Sequence, residues 1–144
     1  MRVQDILNDK GSALFSVTPD DSVTAAVRLM VDKGISSVLV MEKGEMTGLV
    51  TLRELLTGLD RLGAAIASAK VADIMKKNPP VVQPDDTADR LRTMMTELHI
   101  THVPVMDEGA LLGILSFHDI ARSAIKDADF ENRLLKQYIK NWPA

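Results

Sequence analysis

The pattern of apolar and polar positions predicts a short series of elements in the first half of the chain. After a Pro-Asp-Asp turn, apolar residues recur at helical spacing from Val23 to Val31, and Gly34 stands where a helix C-terminal glycine belongs. The apolar runs SVLVM (37–41) and MTGLV (46–50) flank a glycine-containing turn, which predicts a hairpin. A second helix is predicted from Thr51.

The second half of the chain repeats this pattern in register. It predicts a helix over Thr87–His99, strands over His102–Met106 and Leu111–Leu115, and a helix from Ser116, with brief extended segments at Val17 and Val82 before the two copies. Several turn and strand residues recur 65 positions apart, namely Pro19 and Pro84, Asp20 and Asp85, Asp21 and Asp86, Gly44 and Gly109, and Gly48 and Gly113. The lead-in segments VQDIL and VADIM are 68 apart, because the first copy has three extra residues around 10–15.

The duplication predicts an α/β (α+β) fold made of two β-α-β-β-α units. We expect the first unit over 1–62, the second over 69–126, and a C-terminal helical extension over 127–144. The extension carries a stripe of large side chains at helical spacing, which predicts either packing on the module or a dimer contact: Phe130, Leu134, Leu135, Tyr138, Ile139 and Trp142.

Composition excludes several classes of protein. The formal net charge of −3 and the aromatic content of 3% argue against a nucleic-acid platform. The absence of cysteine excludes disulfides, thiolate nucleophiles and zinc–cysteine sites. The first eleven residues lack the apolar core of a signal peptide, and no apolar run approaches the roughly 20 residues that span a bilayer. We therefore expect a cytoplasmic protein with no membrane contact.

The two copies share the phrase Gly, two apolar residues, a hydroxyl residue, two variable residues and an acid. It reads GLVTLRE at 48–54 and GILSFHD at 113–119. Ser or Thr followed three residues later by an acid is a helix capping box, and Glu54 has the length to close it better than Asp119. The same residues would also suit a nucleotide-binding site at a helix start, because a helix N-terminus binds phosphate and a nearby carboxylate accepts hydrogen bonds from ribose hydroxyls.

On these residues the chain resembles a tandem pair of CBS domains, a Bateman module. The resemblance rests on the duplicated units, the DIM lead-in, HITHVPVMDEGALLGILSFHDI and the repeated phrase, and it covers about residues 2–125. It implies two repeats packed through their sheets about a pseudo-twofold axis. It also implies clefts for adenine nucleotides such as AMP, ADP or ATP, or for NAD(H) or S-adenosylmethionine, and a regulatory role with no catalysis and no required cofactor. A homodimer is the implied assembly, and the effector protein is unknown.

The second copy matches the family's ligand site. Ser116 and Asp119 take the places of the hydroxyl and the ribose-binding carboxylate, and nearby residues take the places of phosphate and base contacts. The predicted second site consists of Ser116, His118, Asp119, Thr101, His102, Pro104, Asn78, Pro80 and Val81.

The first copy departs from the pattern. Glu54 replaces the expected Asp, and Leu39 stands where the second copy has Pro104. We therefore expect a weaker, altered or empty first site, for which the capping box is the favoured interpretation. Its residues would be Thr51, Arg53, Glu54, Ser36 and Ser37.

Other chemistry finds little support in the sequence. His99 and His102 have a spacing that a metal could use, but without cysteines a phosphate-facing or surface role is favoured, and we predict no metal site. No nucleophile elbow, Walker loop or other catalytic set is present. The main hypothesis is thus a nucleotide sensor that signals to a partner, and the alternative is a constitutive protein-interaction scaffold with vestigial nucleotide sites.

Overall fold

The computed structural model of this chain describes residues 1–11 and 13–140, and the side chain of Tyr138 is outside that description, as is Trp142. The helices are α1 (Val3–Lys10), α2 (Val23–Lys33), α3 (Leu52–Leu62), α4 (Ala88–Leu98) and α5 (Phe117–Lys140). The strands are β1 (Ser16–Val17), β2 (Ser37–Glu42), β3 (Glu45–Thr51), β4 (Lys76–Lys77), β5 (His102–Asp107) and β6 (Ala110–Ser116). Short 3₁₀ turns at Gly63–Ser68 and Val71–Asp73 connect α3 to β4. This mixed architecture of two repeated units and a C-terminal helix confirms the predicted fold class.

The first helices of the two units begin and end where the sequence predicts. The hydroxyls of Ser22 and Thr87 accept hydrogen bonds from Ala25 N and Arg90 N, both at 3.0 Å, and so cap α2 and α4. Gly34 ends α2 in the left-handed region with φ of 63°. His99 ends α4 with φ of 54°, a conformation that costs a non-glycine residue some strain.

The two predicted hairpins form with matching registers. Val40 pairs with Gly48 in the first hairpin, and Val105 pairs with Gly113 in the second, each next to a bulge. β1 and β4 extend the first hairpin to a four-stranded sheet in the order β1-β2-β3-β4, whereas β5 and β6 form a two-stranded sheet. The predicted extended residue Val82 contributes a single parallel bridge to Val105. β3 and β6 contact each other, so the two sheets meet.

Each unit packs the lead-in segment of the other unit into its own core. Three residues of α1 are buried among residues of the second unit, in the core formed by Val3, Ile6, Leu7, Val82, Leu91, Met95, Val103, Val105, Leu115 and Ile120. The reciprocal segment supplies Val71 and Ile74 to the first unit, in the core formed by Val17, Val23, Ala26, Met30, Val38, Val40, Val50, Val71 and Ile74. The two cores are therefore completed by exchange.

The Pro-Asp-Asp turns receive these exchanged segments. The carbonyls of Asp86 and Pro84 accept hydrogen bonds from the first amides of α1, each at 2.9 Å. In the first unit, the carbonyls of Asp21 and Pro19 accept them from Val71 N at 2.8 Å and from Ala72 N at 3.0 Å. The turns thus satisfy helix-start amides that would otherwise lack partners.

The repeated glycines lie beneath the exchanged segments. A Cβ built on Gly48 would stand 2.8 Å from Met75 Sδ, and one built on Gly113 would stand 2.5 Å from Leu7 Cδ1. Leu7 and Met75 are equivalent residues of VQDIL and VADIM, so the same contact occurs in both units. This close approach explains the glycine of the repeated phrase, which a helix cap does not require.

α5 runs without a break across the point where we expected the extension to begin. Ile120 and Ser123 are buried, and the helix continues as a single element to Lys140. Beyond the core it carries exposed apolar side chains, namely Ile125, Phe130, Leu134, Leu135 and Ile139. The described part of the predicted tail stripe is therefore exposed to solvent in the single chain.

Candidate functional site

The first cleft is a cavity of about 500 Å³ at the start of α3. Thr51, Arg53, Glu54 and Thr57 come from this helix start, and the remaining lining comes from β3, the segment leading into and past β4, and the segment before β5. That lining consists of Leu49, Ile74, Met75, Lys76, Pro79, Pro80, Leu98, His99, Ile100, Thr101 and His102.

The second cleft is a cavity of about 440 Å³ at the start of α5. Ser116, His118, Asp119 and Arg122 come from this helix start, and β6 contributes Ile114. The other walls come from the end of α1 and residues before β1, from the segment leading into β2, and from the start of β5. They consist of Lys10, Gly11, Ala13, Phe15, Gly34, Ile35, Ser36, Ser37, Leu39 and His102.

Each cleft is built from both repeats, which changes the predicted grouping of residues. Thr101 and Pro80, predicted beside Asp119, line the first cleft, whereas Ser36 and Ser37, predicted beside Glu54, line the second cleft. Pro80 follows the exchanged segment that packs on the first unit. The starts of β2 and β5 meet between the repeats, with Ser36 Oγ 3.0 Å from His102 Nε2, so residues at each strand start line the cleft of the other unit.

The remaining predicted residues divide between the clefts and the sheet. Ser116, His118, Asp119 and His102 do meet in the second cleft, and Thr51, Arg53 and Glu54 meet in the first, with His102 lining both. Pro104 lies in β5, where its carbonyl accepts a hydrogen bond from Val82 N at 3.0 Å. Pro104, Asn78 and Val81 are absent from the linings of both clefts in the part of the chain that the structure describes.

The Asp119 carboxylate is the most heavily bonded group of the second cleft. It is 5% exposed, and Oδ2 accepts hydrogen bonds from Lys10 Nζ at 2.7 Å and from Ser116 N at 2.8 Å. Oδ1 accepts one from Arg122 Nη2 at 2.9 Å. Lys10 Nζ also donates to the carbonyl of Ile114 at 2.6 Å, so its ammonium lies between two groups that line the cleft.

These contacts keep Asp119 ionised. Burial alone raises the pKa of its carboxyl, but the hydrogen bonds from Lys10 and Ser116, together with the positive charge of Lys10, outweigh burial and lower the pKa below its usual value. The cleft therefore presents an anionic carboxylate held between two cationic side chains.

Both helix starts close a capping box. Thr51 N donates to Glu54 Oε1 at 2.8 Å, and Arg53 N donates to Thr51 Oγ1 at 3.2 Å. Ser116 N donates to Asp119 Oδ2, and Asp119 N donates to Ser116 Oγ at 3.1 Å. The expectation that Asp119 closes a capping box less well than Glu54 is wrong, because both carboxylates accept from the cap amide at 2.8 Å.

The Glu54 carboxylate differs from Asp119 in its partners. Its recorded hydrogen bonds, from Thr51 N and Thr51 Oγ1, both end on Oε1, and no ion pair to Glu54 forms among the described residues. Its neighbour Arg53 donates from Nη1 to the carbonyl of His99 at 2.7 Å. Arg53 therefore joins the two repeats across the first cleft.

His102 connects the two repeats between the clefts. Its Nε2 lies 3.0 Å from Ser36 Oγ and its Nδ1 lies 2.8 Å from Thr101 Oγ1. Burial, with a smaller contribution from the charge of Lys10, lowers the pKa of His102 to about 4, against the opposing effect of Asp119. His102 is therefore neutral at pH 7, and its two ring nitrogens bond to hydroxyls from different repeats.

Lys10 and Arg122, the two cations paired with Asp119 in the second cleft, are residues that sequence reasoning missed. Arg122 stands one turn after Asp119, where a cation pairs with an acid at i and i+3. Lys10 lies at the start of the three extra residues of the first copy, and in the 68-residue offset it corresponds to Asn78. Its position signalled an insertion, but its contact with Asp119 follows only from the exchange of α1.

Neither a metal site nor a membrane-spanning helix is found in the described ranges 1–11 and 13–140. Three or more side chains of the His, Asp or Glu type that could hold a metal ion do not come together there. Nor do those ranges contain a helix long and apolar enough to cross a membrane.

The structure is of a class in which two repeats exchange their lead-in segments and form a cleft at the start of α3 and another at the start of α5. Similarity to known proteins identifies the family. The CBS domain profile matches residues 3–61 and again residues 71–126. The chain therefore belongs to the CBS-domain family and carries two CBS domains.

Relatives and solved structures agree with this assignment. A curated relative is the mitochondrial CBS domain-containing protein CBSX3 of Arabidopsis thaliana, 28% identical over 147 residues that cover 96% of this chain and 71% of that protein. The crystal structure of a CBS-domain protein from Agrobacterium tumefaciens superposes with a TM-score of 0.83 at 33% identity, covering 86% of this chain and 99% of that one.

Two other matches concern ligands and enzymes. The crystal structure of CBSX2 in complex with AMP superposes with a TM-score of 0.74 at 26% identity, covering 88% of this chain and 98% of that one. An inosine-5'-monophosphate dehydrogenase from Korarchaeum cryptofilum is 35% identical over 108 residues, but the match covers only 21% of that enzyme. The similarity to this enzyme is thus confined to a small part of its length.

Proposed function

We propose that this chain is a regulatory module that binds an adenine nucleotide (AMP, ADP, ATP or NAD(H)) and signals the occupancy of its clefts to a partner protein. The observation that carries the proposal is the second cleft, in which a helix start, an ionised carboxylate and two cations surround a cavity of about 440 Å³. Cavities of about 300–1,000 Å³ are typical of small-molecule sites. The AMP complex of the related CBSX2 supports the same ligand class.

The residues of the second cleft match the parts of a nucleotide. The ribose hydroxyls would donate to Asp119, and the phosphate would lie at the start of α5 near Lys10, Arg122 and His118. The base would contact apolar lining such as Phe15 and Ile114. The Asp119 carboxylate is paired with two cations that could also bind a phosphate, whereas the recorded bonds of Glu54 come from Thr51 alone. We therefore place the main site at Asp119.

Signalling follows from the composition of the cleft. The ligand would touch α5 and β6 of one repeat and the segment before β2 of the other, so its affinity depends on how the repeats are arranged. A ligand shifts a conformational equilibrium only through such a difference in affinity between states. The His102–Ser36 contact joins the same two repeats and would respond to the same movement.

Thermal unfolding with added nucleotides tests this proposal. A ligand at 100 times its dissociation constant stabilises the folded state by about 2.7 kcal/mol. We expect a clear rise in melting temperature with at least one of AMP, ADP, ATP, NAD⁺, NADH or S-adenosylmethionine. No rise with any of them at millimolar concentration would contradict the proposal.

Matched variants locate the occupied cleft. Asp119→Asn preserves the shape of the cap but removes the charge that binds ribose, so it should abolish most of the rise. Asp127→Asn makes the same change at an exposed position of α5 outside both clefts and should retain the full rise. If Glu54→Gln abolishes the rise and Asp119→Asn does not, the main site is the first cleft.

The exposed stripe of α5 favours a second role in assembly. Leu134 is 50% exposed and Ile139 is 70% exposed, and neither belongs to either of the two cores. Acidic residues (Asp127, Asp129 and Glu131) precede basic residues (Arg133, Lys136 and Lys140), so antiparallel pairing of two α5 helices would set acid opposite base. We therefore assign the expected homodimer to this stripe.

Light scattering tests the assembly role in the full chain. Leu134→Glu should convert a dimer into a monomer while the nucleotide-dependent rise in melting temperature remains. A dimer that persists in this variant would contradict the assignment of the interface. If nucleotide binding is absent while the dimer forms through α5, the chain is an interaction scaffold with vestigial clefts. The effector protein and the cytoplasmic location stay predictions of the sequence.

A further inference from the structure

The carboxylate that would bind ribose in the second cleft already accepts three hydrogen bonds from the protein. Asp119 accepts from Lys10 Nζ, Ser116 N and Arg122 Nη2, at 2.7, 2.8 and 2.9 Å. A carboxylate offers about four lone-pair positions, so three donors leave about one, whereas a ribose diol brings two donors. A ribose can therefore bind both hydroxyls to Asp119 only if a protein donor leaves.

Lys10 is the donor that we take the ligand to displace. Arg122, 43% exposed, lies one turn along the same helix as Asp119, whereas Lys10 reaches the carboxylate from α1. Ser116 N belongs to the backbone of the capping box and cannot leave without opening the start of α5. The Lys10 ammonium bridges Asp119 and the carbonyl of Ile114, both of which line the cleft. Its side chain is a flexible stem and is 29% exposed, so it can swing away from the carboxylate.

The displaced ammonium needs a new anionic partner. A phosphate at the start of α5 would supply that partner, because this helix start and Lys10 lie in the same cleft. Adenosine, which has no anionic group, would take Asp119 from Lys10 and offer the ammonium no anionic partner in exchange. Charge-assisted hydrogen bonds are about twice as strong as neutral ones, so this exchange separates the two ligand classes.

We infer that Lys10 makes the second cleft selective for adenine nucleotides that carry a phosphate, against adenosine-type ligands that carry none. The inference rests on the proposed function and narrows its ligand class. The first cleft serves as an internal contrast, since no ion pair to Glu54 forms among the described residues, so a ribose there displaces no cation from it.

Calorimetric titration of the full chain with AMP and with adenosine tests the inference. In the unmodified chain we expect AMP to bind about tenfold or more tightly than adenosine. Lys10→Met keeps the length of the side chain and removes its charge, so AMP should weaken about tenfold while adenosine binds equally or more tightly. Lys10→Arg should preserve the preference for AMP.

Controls separate the inference from general effects. Lys70→Met removes a surface lysine that pairs with Asp20 at 3.5 Å, outside the linings of both clefts, and should leave both affinities unchanged. If Lys10→Met fails to fold by circular dichroism, Lys10→Gln replaces it. Equal affinities of the unmodified chain for the two ligands, or an unchanged ratio in Lys10→Met, would overturn the inference.

The proposed function fails on a different result. If neither AMP nor adenosine binds, or if Asp119→Asn leaves AMP binding intact, the site at Asp119 is wrong and the role of Lys10 falls with it. If AMP binding depends on Asp119 but selectivity does not depend on Lys10, the nucleotide site stands and only the inference about selectivity is rejected.

Discussion

The two glycines of the repeated phrase give a prediction that the structure quantifies. Gly48→Ala would place its Cβ 2.8 Å from Met75 Sδ and 2.9 Å from the backbone oxygen of Lys76. Gly113→Ala would place its Cβ 2.5 Å from Leu7 Cδ1 and otherwise no closer than 3.7 Å. At Gly48 backbone must move, whereas at Gly113 the end of one side chain can rotate.

The expected cost differs accordingly. Overpacking a core costs about 1–3 kcal/mol, and replacing glycine by alanine returns about 0.4–1 kcal/mol through the unfolded chain. We expect Gly48→Ala to lower the free energy of unfolding by about 1–2 kcal/mol, because the β3–β4 pairing must shift. Gly113→Ala should cost less than about 1 kcal/mol, because only Leu7 adjusts.

Urea unfolding of the two variants beside the unmodified chain measures both values. Since Met75 and Lys76 also line the first cleft, Gly48→Ala should in addition weaken any ligand bound there. Equal stability of Gly48→Ala and the unmodified chain, or a larger loss in Gly113→Ala, would refute the argument that the exchanged segments require these glycines.

Three further predictions concern buried or strained residues. Burial lowers the pKa of His102 to about 4, so the unfolded chain binds a proton first and the free energy of unfolding falls as the pH drops from 6.5 to 4. His102→Gln should remove about 2 kcal/mol of the fall between pH 7 and pH 4.5 in urea titrations, and an identical pH dependence would contradict the pKa. Ile6→Ala should cost about 2–4 kcal/mol in the same assay if α1 completes the second core, and a cost below about 1 kcal/mol would contradict the exchange. His99→Gly should raise the stability by up to about 1 kcal/mol by relieving the left-handed conformation, and a lower melting temperature would argue against strain at that position.

The elements of each unit could be read from the sequence because their signals are local. The strand predicted over His102–Met106 extends by one residue to Asp107, and the helix predicted over Thr87–His99 proves to be α4 with its two capping residues. Apolar periodicity, hydroxyl caps and turn glycines act within a few residues, so a sequence records them directly. The 65-residue repeat then fixed the number of units.

The exchange of lead-in segments could not be read in the same way. It depends on which core α1 enters, and the apolar residues of VQDIL suit either core by composition. The signals that were available are Gly48 and Gly113, whose missing side chains leave room for Met75 and Leu7. The reason for these glycines is visible only once the exchanged segments are packed against them.

The sequence predicted which residue types form the site, but not which distant segments of the chain meet there. Ser116, His118 and Asp119 lie at one helix start and meet in one cleft, as adjacent residues of one motif must. Pro80 lines the other cleft because it follows the exchanged segment, and Thr101 lines it although its carbonyl accepts a hydrogen bond from Phe117 N at the start of α5. Lys10, more than a hundred residues from Asp119 in sequence, carries no local mark of its ion pair.

A crystal structure of the chain grown with AMP tests the central claim most directly. The account predicts AMP in the second cleft, with its ribose hydroxyls on Asp119, its phosphate at the start of α5, and Lys10 moved from the carboxylate to the phosphate. AMP bound elsewhere, or an unaltered Lys10–Asp119 pair beside an empty cleft at saturating AMP, would contradict it.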